Sequence, residues 1–156
     1  MVDLKRCIVA LSVAYLTLRT IVIHADASNK FCGTALDKPR CEKMAKGATN
    51  WDEAITKVIN EALNVVAKAS TSGGPACKES YKHTEDKLKE CLKTARDGNK
   101  DGTLNFEISA ALTSVTGCTK ALKGKKEDVA AAMKLNEDVE QAVRVCLAVD
   151  ASKSAP

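Results

Sequence analysis

The residues Asp97-Gly98-Asn99-Lys100-Asp101-Gly102-Thr103-Leu104 make the sharpest chemical motif in this chain. They match the first eight positions of a helix–loop–helix calcium site, with oxygen side chains at one, three and five, glycine at six and an apolar residue at eight. Calcium wants about six to eight oxygens, and such a loop draws two of them from a carboxylate at position twelve. Position twelve here is Ile108, and Glu107 falls one place early, where it points elsewhere on the outgoing helix. No second loop of this kind accompanies the first, although these sites usually work in pairs. Asp, Asn and Gly also gather in turns for a simpler reason, since they tolerate turn dihedrals. The polar turn is the favoured reading, so no metal is assigned, and a calcium-binding module through Asp97–Gly102 stands as the alternative.

The cysteines are the next candidates. Cys7 lies in the apolar leader, which leaves Cys32, Cys41, Cys77, Cys91, Cys118 and Cys146. An even set in a short chain behind a leader reads as a disulfide framework. Zinc would want ligands two to four residues apart, and none of these cysteines is so spaced. His83 has no histidine partner beyond the leader and reads as a solvated helix residue. Nucleophilic or acid–base chemistry finds no foothold: there is no Gly-x-Ser-x-Gly elbow, no phosphate-binding glycine loop and no His-Glu-x-x-His helix. Neighbouring acids such as Glu137-Asp138 belong on solvated helix faces. The expectation is a protein that is not an enzyme and needs no cofactor.

The leader sets the compartment. Lys5 and Arg6 precede an apolar run from Cys7 to Leu18, too short to span a bilayer but suited to a signal-peptide core, and Ala25-Asp26-Ala27 supplies a small-x-small cleavage site. Residues 1–27 are therefore expected to be a signal peptide, with the mature protein starting at Ser28, secreted and free of the membrane. Three of the 24 basic and two of the 20 acidic side chains fall in that leader, so the rest stays weakly basic with its charges interspersed. Aromatics beyond it are only Phe31, Trp51, Tyr81 and Phe106. Without a basic stripe or a stacking platform, nucleic acid is not an expected partner.

Helical periodicity recurs four times beyond the leader, and strand-like alternation is absent. Asn50 and Glu53 resemble a capping box opening a helix with apolar Trp51, Ile55, Val58, Ile59, Leu63 and Val66. The stretch from Ser70 to Pro75 ends it. A second helix, with Pro75 in its first turn, carries Cys77, Tyr81, Thr84, Leu88, Cys91 and Ala95 at spacings of four and three, with Glu85 and Lys89 paired on its exposed side. The third repeats the spacing with Leu104, Ile108, Ala111, Val115, Cys118 and Leu122, and Gly124 is its expected cap. The fourth carries Val129, Ala132, Val139, Val143 and Cys146, then frays into a polar tail from Ala151. Four amphipathic helices on short connections predict an all-α antiparallel four-helix bundle over residues 49–156. Residues 28–48, with Pro39 between Cys32 and Cys41, read as a short helical hairpin closed by its own bridge. Six cysteines allow 15 connectivities. Cys77 and Cys118 both lie far from the loop joining helices two and three, hence at one end of that hairpin. Cys32 and Cys41 are near neighbours. Cys91 with Cys146 is the remaining pair, at poorly matched heights, and two free thiols are the alternative.

Three stretches resemble the plant invertase and pectin methylesterase inhibitor superfamily. Cys32 and Cys41 enclose eight residues with a proline before the second cysteine, Cys77-Lys-Glu-Ser-Tyr81 is similar to the family's Cys-x-x-x-Tyr, and Ile108-Ser-Ala-Ala-Leu-Thr-Ser-Val-Thr-Gly-Cys118 is similar to its Leu-Ser-Ala-Ala-Leu-Thr stretch ending in cysteine. The resemblance implies a secreted inhibitor in the apoplast or cell wall that binds one carbohydrate-active enzyme and covers its substrate cleft with helices two and three. On the third helix, Ser109, Thr113, Thr116 and Lys120 form the exposed row that would make contact. Family invertase inhibitors often carry Pro-Lys-Phe before the third helix, and the segment Asn99 to Phe106 lacks it, which tilts the target toward pectin methylesterase. The segment from Cys41 to Cys77 is shorter than the family's, which implies a truncated or displaced first bundle helix.

Overall fold

The computed structural model describes residues 29–123, 125 and 129–154. The leader, the cleavage expected after Ala27 and the Gly124 cap lie outside the described residues. Five α-helices follow one another, α1 (Lys38–Met44), α2 (Trp51–Ser72), α3 (Lys78–Arg96), α4 (Leu104–Lys123) and α5 (Ala130–Ala151), with short 3-10 turns at Lys30–Cys32, Pro75–Cys77 and Ser152–Ser154. No strand occurs among the described residues. Helices α2 to α5 form an antiparallel bundle whose packed neighbours are α2–α3, α3–α4, α4–α5 and α5–α2.

Local chemistry explains the boundaries. The Asn50 side chain accepts from Glu53 N–H at 2.9 Å and so caps α2. Glu53 reaches back one residue further than a capping box requires, to the N–H and hydroxyl of Thr49 at 2.8 and 3.0 Å. Those bonds hold its carboxyl below the ordinary glutamate range. The first bundle helix is not truncated: α2 has 22 residues, as many as α5. The Ser-Thr-Ser stretch stays helical, with the Thr71 hydroxyl donating to Lys68 O at 2.8 Å, and the break waits for Gly74 at φ 73°. At Gly73 a Cβ would stand 2.7 Å from the Tyr81 ring, so glycine lets α2 end directly against α3.

The hairpin lies against the bundle. Asp37 caps α1 by accepting from Arg40 N–H at 3.0 Å, and Pro39 sits in the first turn, where a missing N–H costs nothing. Cys32 and Cys41 are bonded, with Cα atoms 5.7 Å apart. Thr34 Oγ1 donates to Ala148 O at 3.3 Å, and Arg40 pairs with Asp138, so α5 is the helix that carries the hairpin.

The core is aliphatic. Ile55, Ile59, Leu88, Leu104 and Ile108 are fully buried, each worth about 1.5–3 kcal/mol in transfer free energy. All six apolar positions expected on the third helix are buried in α4. The suggested Cys91–Cys146 bridge is absent: both are buried free thiols. They stand on α3 and α5, which face each other diagonally. Diagonal helices of a bundle stand farther apart than packed neighbours, whose axes are about 8–10 Å apart, so a bridge across the diagonal has a longer gap to close. Burial pushes the Cys91 thiol up to about 12 and raises Cys146 as well, so neither offers a thiolate.

Candidate functional site

The α3–α4 hairpin is fixed at both ends. At one end Cys77 and Cys118 are bonded, with Cα atoms 4.7 Å apart. The buried Tyr81 phenol lies 3.6 Å from Cys118 Sγ, and since a bridged sulfur has no proton the phenol donates. Between the helices Gly117 admits Ser80, whose Oγ would be 3.1 Å from a Cβ there. At the other end Glu107 Oε1 accepts from Thr94 Oγ1 at 3.0 Å and from Thr103 Oγ1 at 3.4 Å, tying α4 to α3 beside the connecting loop.

Ser109, Thr113 and Lys120 are exposed on α4, and Thr116 beside them is partly buried. The Thr113 hydroxyl donates to Ser109 O at 3.0 Å and the Thr116 hydroxyl to Thr113 O at 2.7 Å. Their protons are spent inside the helix, which leaves short oxygen acceptors on a surface with little rotamer freedom to lose. Such a row can meet another protein's donors. It carries no base that would activate a hydroxyl.

In the 97–103 loop one of the side-chain oxygens a calcium ion would use has other work. Asn99, at φ 48°, turns its Oδ1 to accept from Leu104 N–H at 3.1 Å, which caps α4. Gly98 O accepts from Lys153 Nζ at 3.0 Å, and Glu107 takes both threonines on Oε1, while its buried Oε2 has no hydrogen-bond partner among the described residues. The polar-turn reading accounts for every one of these contacts. No cluster of three or more metal-ligating side chains occurs among the described residues.

The sequence matches the plant invertase/pectin methylesterase inhibitor family over residues 26–149. The chain belongs to this family. Among solved structures, a pectin methylesterase inhibitor from Arabidopsis thaliana is similar in fold at a TM-score of 0.58 and 15% sequence identity, the match covering 86% of this chain and 99% of that one. No curated protein matches. Within the inhibitor family frame, the stretch Ile108–Cys118 falls on α4, with Ile108, Ala111, Val115 and Cys118 inward and Ser109 and Thr113 outward.

Periodicity missed a clasp at the hairpin end of the bundle. Trp51 Nε1 donates to Val149 O at 3.0 Å, Lys153 Nζ stands 4.1 Å over the Trp51 ring, and Asn105 Nδ2 donates to Asp150 Oδ2 at 3.2 Å. The tail expected to fray from Ala151 is thus ordered through Ser154, because Lys153 has both an aromatic face and a carbonyl to hold. These partners are separated by 45 residues or more, out of reach of any local pattern.

Proposed function

We propose that this chain is a secreted inhibitor of pectin methylesterase that seats α3 and α4 over the enzyme's substrate cleft. Family membership across residues 26–149 is the observation that carries the reading. The likeness to a pectin methylesterase inhibitor supports it at the level of fold. Inhibition of this kind needs no catalytic group and no cofactor. It needs a rigid surface, because a preformed interface loses little entropy on binding. The bridge at Cys77–Cys118 and the Glu107 contacts supply that rigidity, and Ser109, Thr113, Thr116 and Lys120 are the residues assigned to contact. Secretion to the apoplast or cell wall follows from the leader, with cleavage after Ala27. Invertase is the second target of the family. The missing Pro-Lys-Phe before α4 ranks it below pectin methylesterase.

The purified mature protein, mixed with plant pectin methylesterase and separately with acid invertase, should lower methanol release by the first and leave sucrose hydrolysis by the second unchanged. Loss of invertase activity alone would exchange the two targets, and full activity of both enzymes would remove the inhibitor reading.

A further inference from the structure

One end of the bundle carries a group of lysines that form no ion pair among the described residues. Here α2 stops, α3 begins and α4 stops, and the Cys77–Cys118 bridge holds the last two together. Lys68, Lys78, Lys82, Lys120, Lys123 and Lys125 are all exposed at this end. None is within ion-pair distance of a described carboxylate. Further along α3 the pattern differs: Lys87 is held by Glu90 and Lys89 by Glu85, each at 2.7 Å. Helix α5 also begins at this end and adds Lys134 and Glu137, whose charges cancel, and Glu79 on α3 faces His83 at 3.6 Å. Between Lys125 and Val129 the sequence adds one net negative charge, too little to offset six lysines.

We propose that this lysine end binds an acidic polysaccharide, specifically a polyuronate such as de-esterified pectin. Free ammoniums at a protein end attract a flexible polyanion by releasing its condensed counterions. The chemistry of the end selects among polyanions. It has no arginine, whose planar fork suits phosphate, and no exposed aromatic on which a base could stack. Tyr81 is buried, and Trp51 and Phe106 belong to the opposite end. Hydrated ammoniums facing hydrated carboxylates need neither device. The choice of polymer rests on the proposed target: hydrolysis of a pectin methyl ester releases methanol and leaves a uronate carboxylate. An inhibitor with this end would gather where the enzyme has already acted, and binding to its product would localise the block.

Retention on immobilised polygalacturonate under a sodium chloride gradient tests the idea without any enzyme, so its result is independent of whether inhibition occurs. The wild-type protein should be retained at low salt, and it should pass through a column of fully methyl-esterified polymer. The triple variant Lys78→Gln, Lys82→Gln, Lys123→Gln should bind about tenfold more weakly and elute at lower salt, with unchanged helical circular dichroism. The control Lys43→Gln, Lys93→Gln, Lys100→Gln removes the same charge elsewhere and should elute as wild type. Equal shifts in both triple variants would reduce the effect to net charge and overturn the proposal, as would equal retention on the esterified polymer. Tighter binding to single-stranded DNA than to polygalacturonate would overturn it in favour of a nucleic-acid surface.

Discussion

Asp150 is a carboxylate in an awkward place. It is 8% exposed, and it sits next to the last residue of α5, where the helix dipole presents its negative end. Burial raises its pKa above the ordinary aspartate value, and the Asn105 amide and the Lys153 ammonium offset that only in part. A carboxyl whose folded pKa lies above its unfolded value ionises more readily in the unfolded chain. Its penalty is therefore absent below the unfolded pKa, grows as pH rises through the folded one and is complete at neutrality. Asp150→Asn removes the charge and keeps an acceptor for Asn105. Thermal melts should show the variant more stable than wild type at pH 7, with the difference closing toward pH 4 and below. A variant less stable at pH 7 would mean that Lys153 and Asn105 already outweigh the desolvation. Asn136 is a related case: its Nδ2 donates to Thr119 Oγ1 at 2.8 Å from a position 3% exposed. Both are polar residues turned inward, which hydrophobic spacing cannot announce.

At the scale of the element, α3 and α4 were legible and α5 was only half so. The first two have narrow buried stripes at spacings of four and three, because each packs mainly on two bundle neighbours. Helix α5 is covered by α2, by α4 and by the hairpin, so its buried stripe widens to include Ala142, Val145 and Val149. A stripe that wide loses its contrast in the sequence. The interaction row Ser109 to Lys120 could be read as an exposed polar face, but nothing in its spacing separates a contact from plain solvated surface. The clasp of Trp51, Lys153 and Gly98 joins elements remote in sequence and left no local trace. The α3–α4 hairpin also yields a stability prediction. Its bridge closes a loop of 41 residues, which should contribute roughly 3–4 kcal/mol on the chain-entropy model. Replacing Cys77 and Cys118 together by serine should lower the melting temperature by more than about 10 °C, by the usual scaling for a domain of this size. The Cys32–Cys41 bridge spans nine residues, so its removal should cost less. A double serine variant at Cys77 and Cys118 that melts with wild type would show that packing alone, through Tyr81 and Gly117, holds the hairpin shut.

For the whole molecule the question is which surface meets the enzyme. The face on α4 is rigid, polar and uncharged except for Lys120, whereas the calcium-like loop turns Asn99 Oδ1 to cap α4 and Gly98 O to Lys153. These two surfaces respond to different perturbations. Thr113 is exposed, and its hydroxyl bonds only its own helix, so Thr113→Arg should leave helicity and melting nearly unchanged in the free protein. In a complex the same guanidinium would be buried without a partner. An unpaired charge stripped of water costs on the order of 3 kcal/mol, roughly a hundredfold in Kd, which is several times what the change costs the free chain. Titrating pectin methylesterase with the variant should therefore show inhibition abolished at concentrations where wild type is saturating. Asp97→Asn with Asp101→Asn should inhibit as wild type does, and a chelator should change nothing, because no step of the proposed binding draws on those carboxylates. The reverse pattern, with chelator or the double Asn variant switching inhibition off while Thr113→Arg stays active, would move the working surface from α4 to the loop and make calcium the determinant of binding.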